Sequence, residues 1–334
     1  MNVLSVFDGI AGARIAFDRV GIKIKNFFSS EIDASAIKVA EENYKNIIQL
    51  GDIKDIKSKN LPRIDLLIGG SPCQDLSNAQ KGEGLKGSRS RLFFEFIRLL
   101  IELKPRYFIL ENVKNKWGSM MSKIIGCPFE EINSCYFSAQ YRPRYYWTNI
   151  ETKDIISKSR FMNNQKIKNI LEKNADRKYS LAQEKISKIL ELVEIKNINK
   201  SDGIIKLFDI PRNIHKDMER QRRVYSINGK TPTLLARADT AKIYIQNENT
   251  IRKLTPLECE RAQTLPDYYT LSASDTKRYK MIGNGFTVNV IASILDNIKK
   301  PLKKIYHIEK HFDNIEEYLD YYNKKQQLQL FENN

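Results

Sequence analysis

The stretch NVLSVFDGIAGARIAFDRV, residues 2–20, decides the fold class of this chain. Asn2 to Phe7 has the apolar character of a buried strand, a glycine-containing turn follows, and an amphipathic segment continues to about Val20. Strands and helical segments keep alternating in this way to about residue 150. This alternation predicts an α/β fold with a doubly wound, mostly parallel sheet. Because ligands of such sheets bind at the carboxyl ends of the strands, we expect the chemistry there.

The composition is that of a globular chain with excess positive charge. Of its 334 residues, 41% are hydrophobic, which suffices for one large and one smaller domain. Charges interrupt every apolar run and the N-terminus lacks a signal-peptide pattern, so we expect a cytoplasmic protein without membrane spans. Lys and Arg total 56 against 40 acidic residues, a net charge of +16 that favours a polyanionic partner. The alternative is compositional bias, since the chain is also rich in Ile and Asn.

The four cysteines are Cys73, Cys127, Cys135 and Cys259, and no two have Cys-x-x-Cys spacing. With only three scattered histidines, the sequence predicts no metal site. We expect free thiols, of which three are buried and structural and one is a candidate for reactivity.

Three consecutive parts are predicted along the chain. Residues 1–178 form the first part of the α/β domain, and residues 179–250 form a small, mainly β domain. Residues 251–334 complete the α/β domain and end in a helical tail.

Two local signals lie in the second half of the chain. Asn228-Gly229, between strand-like segments at 223–227 and 233–235, predicts a hairpin. The four residues from Thr255 to Glu258 read Thr-Pro-Leu-Glu, which predicts a capping box and a helix that begins at Pro256.

A nucleoside pocket is indicated at the ends of the first three strands. The turn Phe7-Asp8-Gly9-Ile10-Ala11-Gly12 would let a ligand approach the backbone closely. Glu31 ends the second strand, where a carboxylate can bind both hydroxyls of a ribose, and Asp52 could accept from an adenine amino group. Either acid by itself is more typical of a solvated strand end. All three features at successive strand ends favour the pocket.

A reactive cysteine is indicated after the fourth strand, in Gly69-Gly70-Ser71-Pro72-Cys73-Gln74. A lone cysteine is more often an inert small apolar residue. Here proline restricts the backbone before Cys73, and the position at a strand's carboxyl end favours reactivity.

Two further polar segments are expected at the same edge of the sheet. Glu111 emerges from the apolar run of the fifth strand and could donate a hydrogen bond to a ring nitrogen. Arg142 and Arg144, in Gln140-Tyr141-Arg142-Pro143-Arg144, could lower a thiol pKa or hold a carbonyl, the alternative being surface or phosphate contact.

These motifs together resemble those of the cytosine-C5 DNA methyltransferases, in the family's order, from Val3 to about Ile298. The matching segments are Pro72-Cys73-Gln74, Ser88 to Phe94, Glu111-Asn112-Val113, Gln140 to Arg144, Gly229 to Leu234, Arg252 to Cys259 and Gly283-Asn284. The segment Cys73 to Ser77 is also similar to the animal de novo branch.

The resemblance implies a Rossmann-like class I methyltransferase fold with residues 179–250 as a target recognition domain. It implies that Cys73 attacks C6 of cytosine, that Glu111 contacts N3 and the exocyclic amine, and that Arg144 contacts O2 while Arg142 supports the loop. C5 then becomes enamine-like and accepts the methyl group.

S-Adenosylmethionine is the implied cofactor, and duplex DNA with a flipped-out cytosine is the implied substrate. Twelve residues would bind the donor: Phe7, Asp8, Gly9, Ala11, Glu31, Ile32, Asp52, Ile53, Pro72, Leu92, Asn284 and Phe286. Six would bind DNA: Ser77, Arg89, Arg91, Arg223, Thr233 and Arg237. We expect a monomer without a metal, and a cognate restriction endonuclease that acts on the same sequence is a candidate partner.

The sequence departs from the family pattern at three places. Ala11 replaces a glycine of the usual turn, Phe286 replaces a common valine, and Arg237 to Thr240 stands where many relatives have a glycine-rich recognition loop.

Two alternatives share the fold. One is a transfer-RNA cytosine methyltransferase, whose Cys-Phe-Thr signature is not found here. The other is a catalytically inactive DNA-binding regulator, which would be expected to lack the nucleophile or the acid, whereas Cys73 and Glu111 are both present.

Overall fold

The structure, a computed structural model, describes residues 1–72, 91–195, 198–199, 203–236, 243–298, 308 and 310–332. A seven-stranded sheet has the order β3-β2-β1-β4-β5-β7-β6. Its strands are β1 (Asn2–Val6), β2 (Asn26–Ser30), β3 (Ile47–Gln49), β4 (Leu66–Gly70), β5 (Tyr107–Val113), β6 (Phe129–Asn133) and β7 (Pro143–Thr148). Strands β1 to β5 are mutually parallel, whereas β7 is antiparallel to both β5 and β6.

Helices cover both faces of this sheet. The helices in the described part of the chain are α1 (Gly12–Val20), α2 (Ala34–Asn43), α3 (Arg91–Leu103), α4 (Gly118–Ile125), α5 (Ile155–Lys158), α6 (Gln183–Leu192), α7 (Glu219–Arg222), α8 (Pro256–Ala262), α9 (Asp275–Asn284), α10 (Val288–Asp296) and α11 (Ile315–Glu332). Of the helices described, none combines the length and apolar character that crossing a bilayer requires.

Successive strand residues point to opposite faces, and because helices cover both faces, the central strands β1 and β4 are buried along most of their length. Val3 packs in one buried cluster with α1, α2 and α10, whereas its neighbour Leu4 packs in a second cluster with α3 and α4. The doubly wound, mostly parallel sheet predicted from the sequence is therefore confirmed.

A second, smaller sheet has the order β12-β11-β10-β9-β8. Its strands are β8 (Ile198–Asn199), β9 (Ile205–Asp209), β10 (Arg223–Ser226), β11 (Tyr244–Asn247) and β12 (Thr250–Lys253). Ile186 and Ile189 of α6 pack with Phe208, Val224 and Tyr244 of this sheet in a separate cluster. The small, mainly β unit is thus present, while its exact limits at residues 179 and 250 stay a prediction.

The predicted hairpin at Asn228-Gly229 is wrong. A turn does form there, since Gly229 N donates to Ser226 O at 3.1 Å, but β10 pairs with β9 and β11. After the turn, Thr231 bonds to the backbone of Ala139 and Tyr141, at 2.8 Å in each case. Pairing with the large domain therefore replaces the local hairpin.

The capping box predicted at Thr255 is confirmed. The Thr255 side chain accepts from Glu258 N at 3.2 Å, and Glu258 Oε2 accepts from Thr255 N at 2.8 Å. The same Glu258 carboxylate is fully buried and forms a bidentate pair with Arg252 at 2.7 and 2.8 Å. The local signal and the tertiary ion pair thus hold the start of α8 together.

The chain's C-terminal part packs on the large domain. Phe312, Ile315 and Tyr318 are buried in the same cluster as Met121 and Ile124 of α4. Because α4 follows β5 closely in the chain, this packing supports the element next to Glu111.

We predict that Phe312→Ala lowers the free energy of unfolding by about 3 kcal/mol, because it leaves a cavity where an aromatic ring is buried. Urea denaturation followed by circular dichroism measures the change. Asp320→Ala, at an exposed position of α11, serves as the control and should change stability by less than about 0.5 kcal/mol. Equal stability of the two variants would show that the C-terminal part does not support the fold.

Candidate active site

The turn after β1 has the backbone conformation of a close ligand approach. Phe7, Gly9 and Ala11 have φ values of 54°, 60° and 59°, and Asp8 N donates to Ser30 O at 3.2 Å. Ala11 therefore adopts a left-handed conformation, which costs a residue with a Cβ roughly 1–2 kcal/mol. Glycine would adopt it without strain. The departure from the family pattern at this position leaves the turn intact.

Glu31, just beyond β2, accepts three hydrogen bonds from backbone N–H groups. Its Oε2 accepts from Gly9 N at 2.8 Å, and its Oε1 accepts from Ile32 N at 2.7 Å and Asp33 N at 2.9 Å. These bonds orient the carboxylate beside the turn after β1. Since two carboxylate oxygens offer about four acceptor positions, the group retains capacity for hydroxyl donors.

Asp8 lies in the same turn, but its side chain is buried. Its carboxylate accepts from Ser5 Oγ and, at 2.8 Å, from Ser29 Oγ. Burial raises the pKa of Asp8 from its ordinary value of 3.8 to about 7. A donor molecule could therefore meet the Asp8 backbone, whereas the side chain holds β1 against β2.

The space next to Glu31 suits a nucleoside. A Cβ added at Gly9 or at Gly51 would meet nothing within 4 Å, so both backbones border open space. Ile32 is 74% exposed, an unusual exposure for a large apolar side chain that an adenine ring could cover. Asp52 caps the turn that follows, accepting from Lys54 N at 3.0 Å, whereas the Ile53 side chain is in the core and leaves its backbone as the possible contact.

Three elements meet at the carboxyl end of β4. A Cβ added to Gly70 would lie 3.1 Å from Glu111 Oε2 and 3.2 Å from Phe286 Cε1. The Phe286 ring also approaches Gly12, whose added Cβ would be 3.7 Å from Cδ2. The acid of β5, the buried Phe286 and the start of α1 therefore surround the point where β4 leads into Ser71.

Glu111 and Arg144 form an ion pair, with Arg144 Nε 2.9 Å from Glu111 Oε1. In the antiparallel β5–β7 register, Arg144 lies opposite Val113, so it is diagonal to Glu111 on one face of the sheet. Their side chains are 13% and 11% exposed, so the pair is largely shielded from water. The structure thus brings together the predicted acid and one of the two predicted arginines.

Arg142 is buried, and its guanidinium bonds to three backbone carbonyls. Its guanidinium donates to Leu234 O at 3.1 Å, Gly283 O at 3.0 Å and Gly285 O at 3.1 Å. This arrangement joins the segment after β10 to the loop after α9. The supporting role that the resemblance implies for Arg142 stays a prediction.

Asn112 was not among the predicted site residues, and the structure gives it a defined contact. The buried Asn112 Nδ2 donates to Ser71 Oγ at 2.8 Å and to Ser71 O at 3.3 Å. It thereby holds the chain two residues before Cys73. In the sequence, the only indication of this role was that Asn112 is a polar residue next to Glu111 in the motif Glu111-Asn112-Val113.

The remaining predicted residues have varied surroundings. Pro72 and Leu92 are half-buried and Asn284 is exposed, while Arg91 is exposed at the start of α3. Arg223 pairs with Glu219 at 2.9 Å, and Thr233 Oγ1 donates to Tyr141 O at 2.9 Å. Four predicted residues lie outside the described part of the chain: Cys73, Ser77, Arg89 and Arg237.

The other cysteines differ partly from expectation. Cys127 and Cys259 are buried, as predicted, and burial raises the pKa of the Cys259 thiol well above its ordinary value. Cys135 is only half-buried, so the prediction of three buried thiols is wrong at this position. Within the described chain, no three His, Cys, Asp or Glu side chains lie close enough together to hold a metal ion.

Comparison with known families decides among the readings of this geometry. The family described as C-5 cytosine-specific DNA methylase matches residues 1–300. This chain belongs to that family. It is a DNA cytosine-C5 methyltransferase, and membership implies that the methyl transfer depends on S-adenosylmethionine. The transfer-RNA and inactive-regulator alternatives are not supported.

Similar proteins include bacterial and phage methyltransferases. The Type II methyltransferase M1.ScrFI of Lactococcus lactis subsp. cremoris is 33% identical over 326 residues, covering 91% of this chain and 79% of that protein. The Type II methyltransferase M.SsoII of Shigella sonnei is 30% identical, covering 89% and 79%. The orphan methyltransferase M.Rho11sI of Bacillus phage rho11s is also 30% identical, covering 71% and 58%.

Solved structures share the fold of this methyltransferase. The Entamoeba histolytica methyltransferase EhMeth superimposes with a TM-score of 0.64 at 18% identity, covering 90% of this chain and 99% of that one. The DNMT2 mutant of Spodoptera frugiperda gives 0.62 at 17% identity, covering 88% and 98%. At these identities the likeness concerns the fold alone, and it confirms the predicted class I methyltransferase architecture.

We predict that Asp8→Asn reduces the loss of stability between pH 5 and pH 8. In the native protein Asp8 keeps its proton up to about pH 7, whereas the unfolded chain releases it near pH 4, so the unfolding free energy falls as pH rises through this window. The fall due to Asp8 alone should be about 2–3 kcal/mol. Asparagine does not titrate, and it can contact both serines by accepting from one hydroxyl and donating to the other.

Urea denaturation at pH 5 and pH 8 measures this difference. Asp296→Asn, at a partly exposed carboxylate paired with Arg160, is the matched control and should keep the native pH dependence. If Asp8→Asn retains the full native pH dependence, Asp8 does not titrate in this range.

Proposed function

We propose that this methyltransferase uses Cys73 to activate a cytosine flipped out of duplex DNA and binds its methyl donor at the ends of β1, β2 and β4. One observation carries the proposal: the Glu111 carboxylate, paired with Arg144, lies against Gly70, at the strand end from which the chain leads into Pro72 and Cys73. A thiol, an acid and a guanidinium, which follow one another in the sequence as Cys73, Glu111 and Arg144, suit nucleophilic activation of a pyrimidine ring.

The open space after β1 and β2, beside Glu31, supports the proposal that the methyl donor binds there. Glu31 would take the ribose hydroxyls, Ile32 would cover the adenine, and Asp52 would accept from its amino group. The backbone of Phe7 to Ala11 would line the open space, with Ile53 contributing its main chain. Pro72, Leu92, Asn284 and Phe286 would close the pocket on the side of β4. When bound, S-adenosylmethionine supplies an electrophilic methyl group.

The protein's own residues would prepare the base. The Cys73 thiolate forms a bond to C6, and the C5–C6 double bond's electrons move into the ring, making C5 nucleophilic. Glu111 contacts N3 and the exocyclic amine, and Arg144 contacts O2, so both stabilise the electron-rich ring. After C5 carries the methyl group, it loses its proton and the C6–sulfur bond breaks, which restores the aromatic ring and the thiolate.

A cytosine inside a duplex is out of reach of this site, so it must leave the stack at a cost of roughly a few kcal/mol. The net charge of +16 favours binding to the phosphate backbone. We propose DNA contacts for Arg91, Arg223 and Thr233, whose positions are described, and for Ser77, Arg89 and Arg237 by resemblance. The target recognition role of residues 179–250 rests on the same resemblance.

The names of similar proteins support two proposals for the cellular role. Several similar proteins are Type II methyltransferases, which favours a role beside a cognate restriction endonuclease that recognises the same sequence. The phage relatives named orphan methyltransferases favour a role without such a partner. Comparing the growth of the host cell with and without a neighbouring endonuclease gene distinguishes these two roles. We propose a monomer that acts in the cytoplasm, where DNA is accessible to it.

We predict that Cys73→Ser binds DNA and donor normally but transfers methyl groups on the order of 10⁴-fold more slowly, because serine is a far weaker nucleophile at neutral pH. Transfer of labelled methyl groups to duplex DNA measures the rate. Cys135→Ser, which changes a half-buried thiol in another segment, is the control and should keep the native rate. Native activity in Cys73→Ser would refute the mechanism.

In the presence of S-adenosylmethionine, duplex DNA that contains 5-fluorocytosine at the target position should form a stable covalent complex. After methyl transfer, C5 carries fluorine in place of hydrogen, and because fluorine cannot leave as a proton does, the C6–sulfur bond cannot break. The complex should appear as a band of reduced mobility that survives denaturant, and Cys73→Ser should not form it. Bisulfite sequencing of plasmid DNA first identifies the target. A wild-type enzyme that methylates this target yet gives no such band would exclude covalent attack.

A further inference from the structure

A buried glutamine, Gln263, directly follows α8 and bonds to the last turn of α9 and to the residue after it. Its Nε2 donates to Ile282 O at 2.8 Å and to Gly285 O at 3.0 Å. Its backbone carbonyl accepts from Val288 N at 3.0 Å. The segment from Ile282 to Val288, here called the donor loop, is therefore attached to this one residue near both of its ends.

The other side of the same carboxamide reaches the segment that carries the arginines. Gln263 Oε1 accepts from Thr287 Oγ1 at 2.7 Å and from Gln140 Nε2 at 3.0 Å. Gln140 Oε1 in turn accepts from Leu234 N at 2.8 Å. Gln263, Gln140 and Thr287 are all buried, so these bonds are shielded from competing water.

The donor loop carries Phe286, whose ring approaches both Gly12 and Gly70. Arg142 Nη2 donates to the same Gly285 carbonyl that Gln263 contacts, at 3.1 Å. A displacement of this loop would therefore move the wall of the donor pocket and change the support of the Arg142–Arg144 segment at once.

We propose that Gln263 is a positioning residue that fixes the donor loop against the segment from Gln140 to Arg144, and so couples donor binding to the geometry of the target site. The inference rests on the proposed function, since it takes the donor loop as part of the S-adenosylmethionine pocket. Gln263 itself touches neither the donor nor the base.

An amide satisfies both sides of this contact at every pH, because it has a donor and an acceptor without titrating. Two carbonyls need a donor, while a hydroxyl and a second amide need an acceptor. Gln263→Glu keeps the acceptor but places an oxygen against Ile282 O and Gly285 O. Gln263→Leu removes both functions and leaves buried polar groups without partners, which is costly.

The test uses the full-length enzyme and duplex DNA containing its target. S-Adenosylhomocysteine, the demethylated form of the donor, is titrated calorimetrically, and KM for S-adenosylmethionine, kcat and the Kd for DNA are measured at pH 8. We expect Gln263→Glu and Gln263→Leu to weaken S-adenosylhomocysteine binding and raise the KM about tenfold or more. The Kd for DNA without donor should change by less than about twofold.

Thr270→Val is the matched control. Thr270 is fully buried, and its hydroxyl accepts from Arg278 Nε at 3.0 Å and donates to Glu260, both of which lie outside the donor loop. This variant should lower the melting temperature without changing the KM. The comparison separates positioning from a general loss of stability.

A pH comparison gives a second readout. At pH 6, a protonated carboxyl in Gln263→Glu can again donate to a donor-loop carbonyl, so its KM should fall towards the wild-type value, while the KM of Gln263→Leu should not. Unchanged KM and S-adenosylhomocysteine affinity in both variants at pH 8 would overturn the inference, as would an equal KM increase in Thr270→Val. A wild-type enzyme that binds no S-adenosylhomocysteine would instead overturn the proposed function itself.

Discussion

The register of the parallel strands β1, β4 and β5 is the constraint on which the site depends. Val6 pairs with Gly69, and Gly70 pairs with Glu111, so the three strands end at one edge of the sheet. A Cβ at Gly69 would lie 2.7 Å from Val6 Cγ2, and one at Gly70 would press on Glu111. Two successive glycines therefore let the acid close on the turn that leads to Cys73. A slip of one residue would turn Glu111 to the other face.

The antiparallel strand β7 adds the second half of the site, because it brings Arg144 diagonally across from Glu111. Arg142, two residues earlier, instead donates hydrogen bonds to three backbone carbonyls. Buried hydrogen bonds contribute only about 1 kcal/mol each, but an unpaired buried partner costs about 1–3 kcal/mol. Arg142 and Gln263 thus matter mainly by specifying a single arrangement of the loops.

Sequence and structure agree best where a local pattern has one physical outcome. The capping box at Thr255 formed as expected, since its four residues contain both hydrogen-bond partners. The hairpin at Asn228-Gly229 does not form because Thr231, after the turn, pairs with Ala139 and Tyr141, more than eighty residues away in the chain. A turn signal predicts the turn, but it does not determine which strand the chain joins next.

By itself the sequence determined the fold class, the family and the order of the polar motifs, because apolar periodicity and short motifs are properties of neighbouring residues. Only the tertiary structure decided which partner each polar residue of those motifs contacts. It pairs Arg144 with Glu111, bonds Arg142 to backbone carbonyls and buries the Asp8 side chain against the serines of β1 and β2. It also shows the contacts by which Asn112 and Gln263 hold neighbouring segments. The reason is that hydrogen-bond partners and burial are set by contacts between distant segments, which no local pattern encodes.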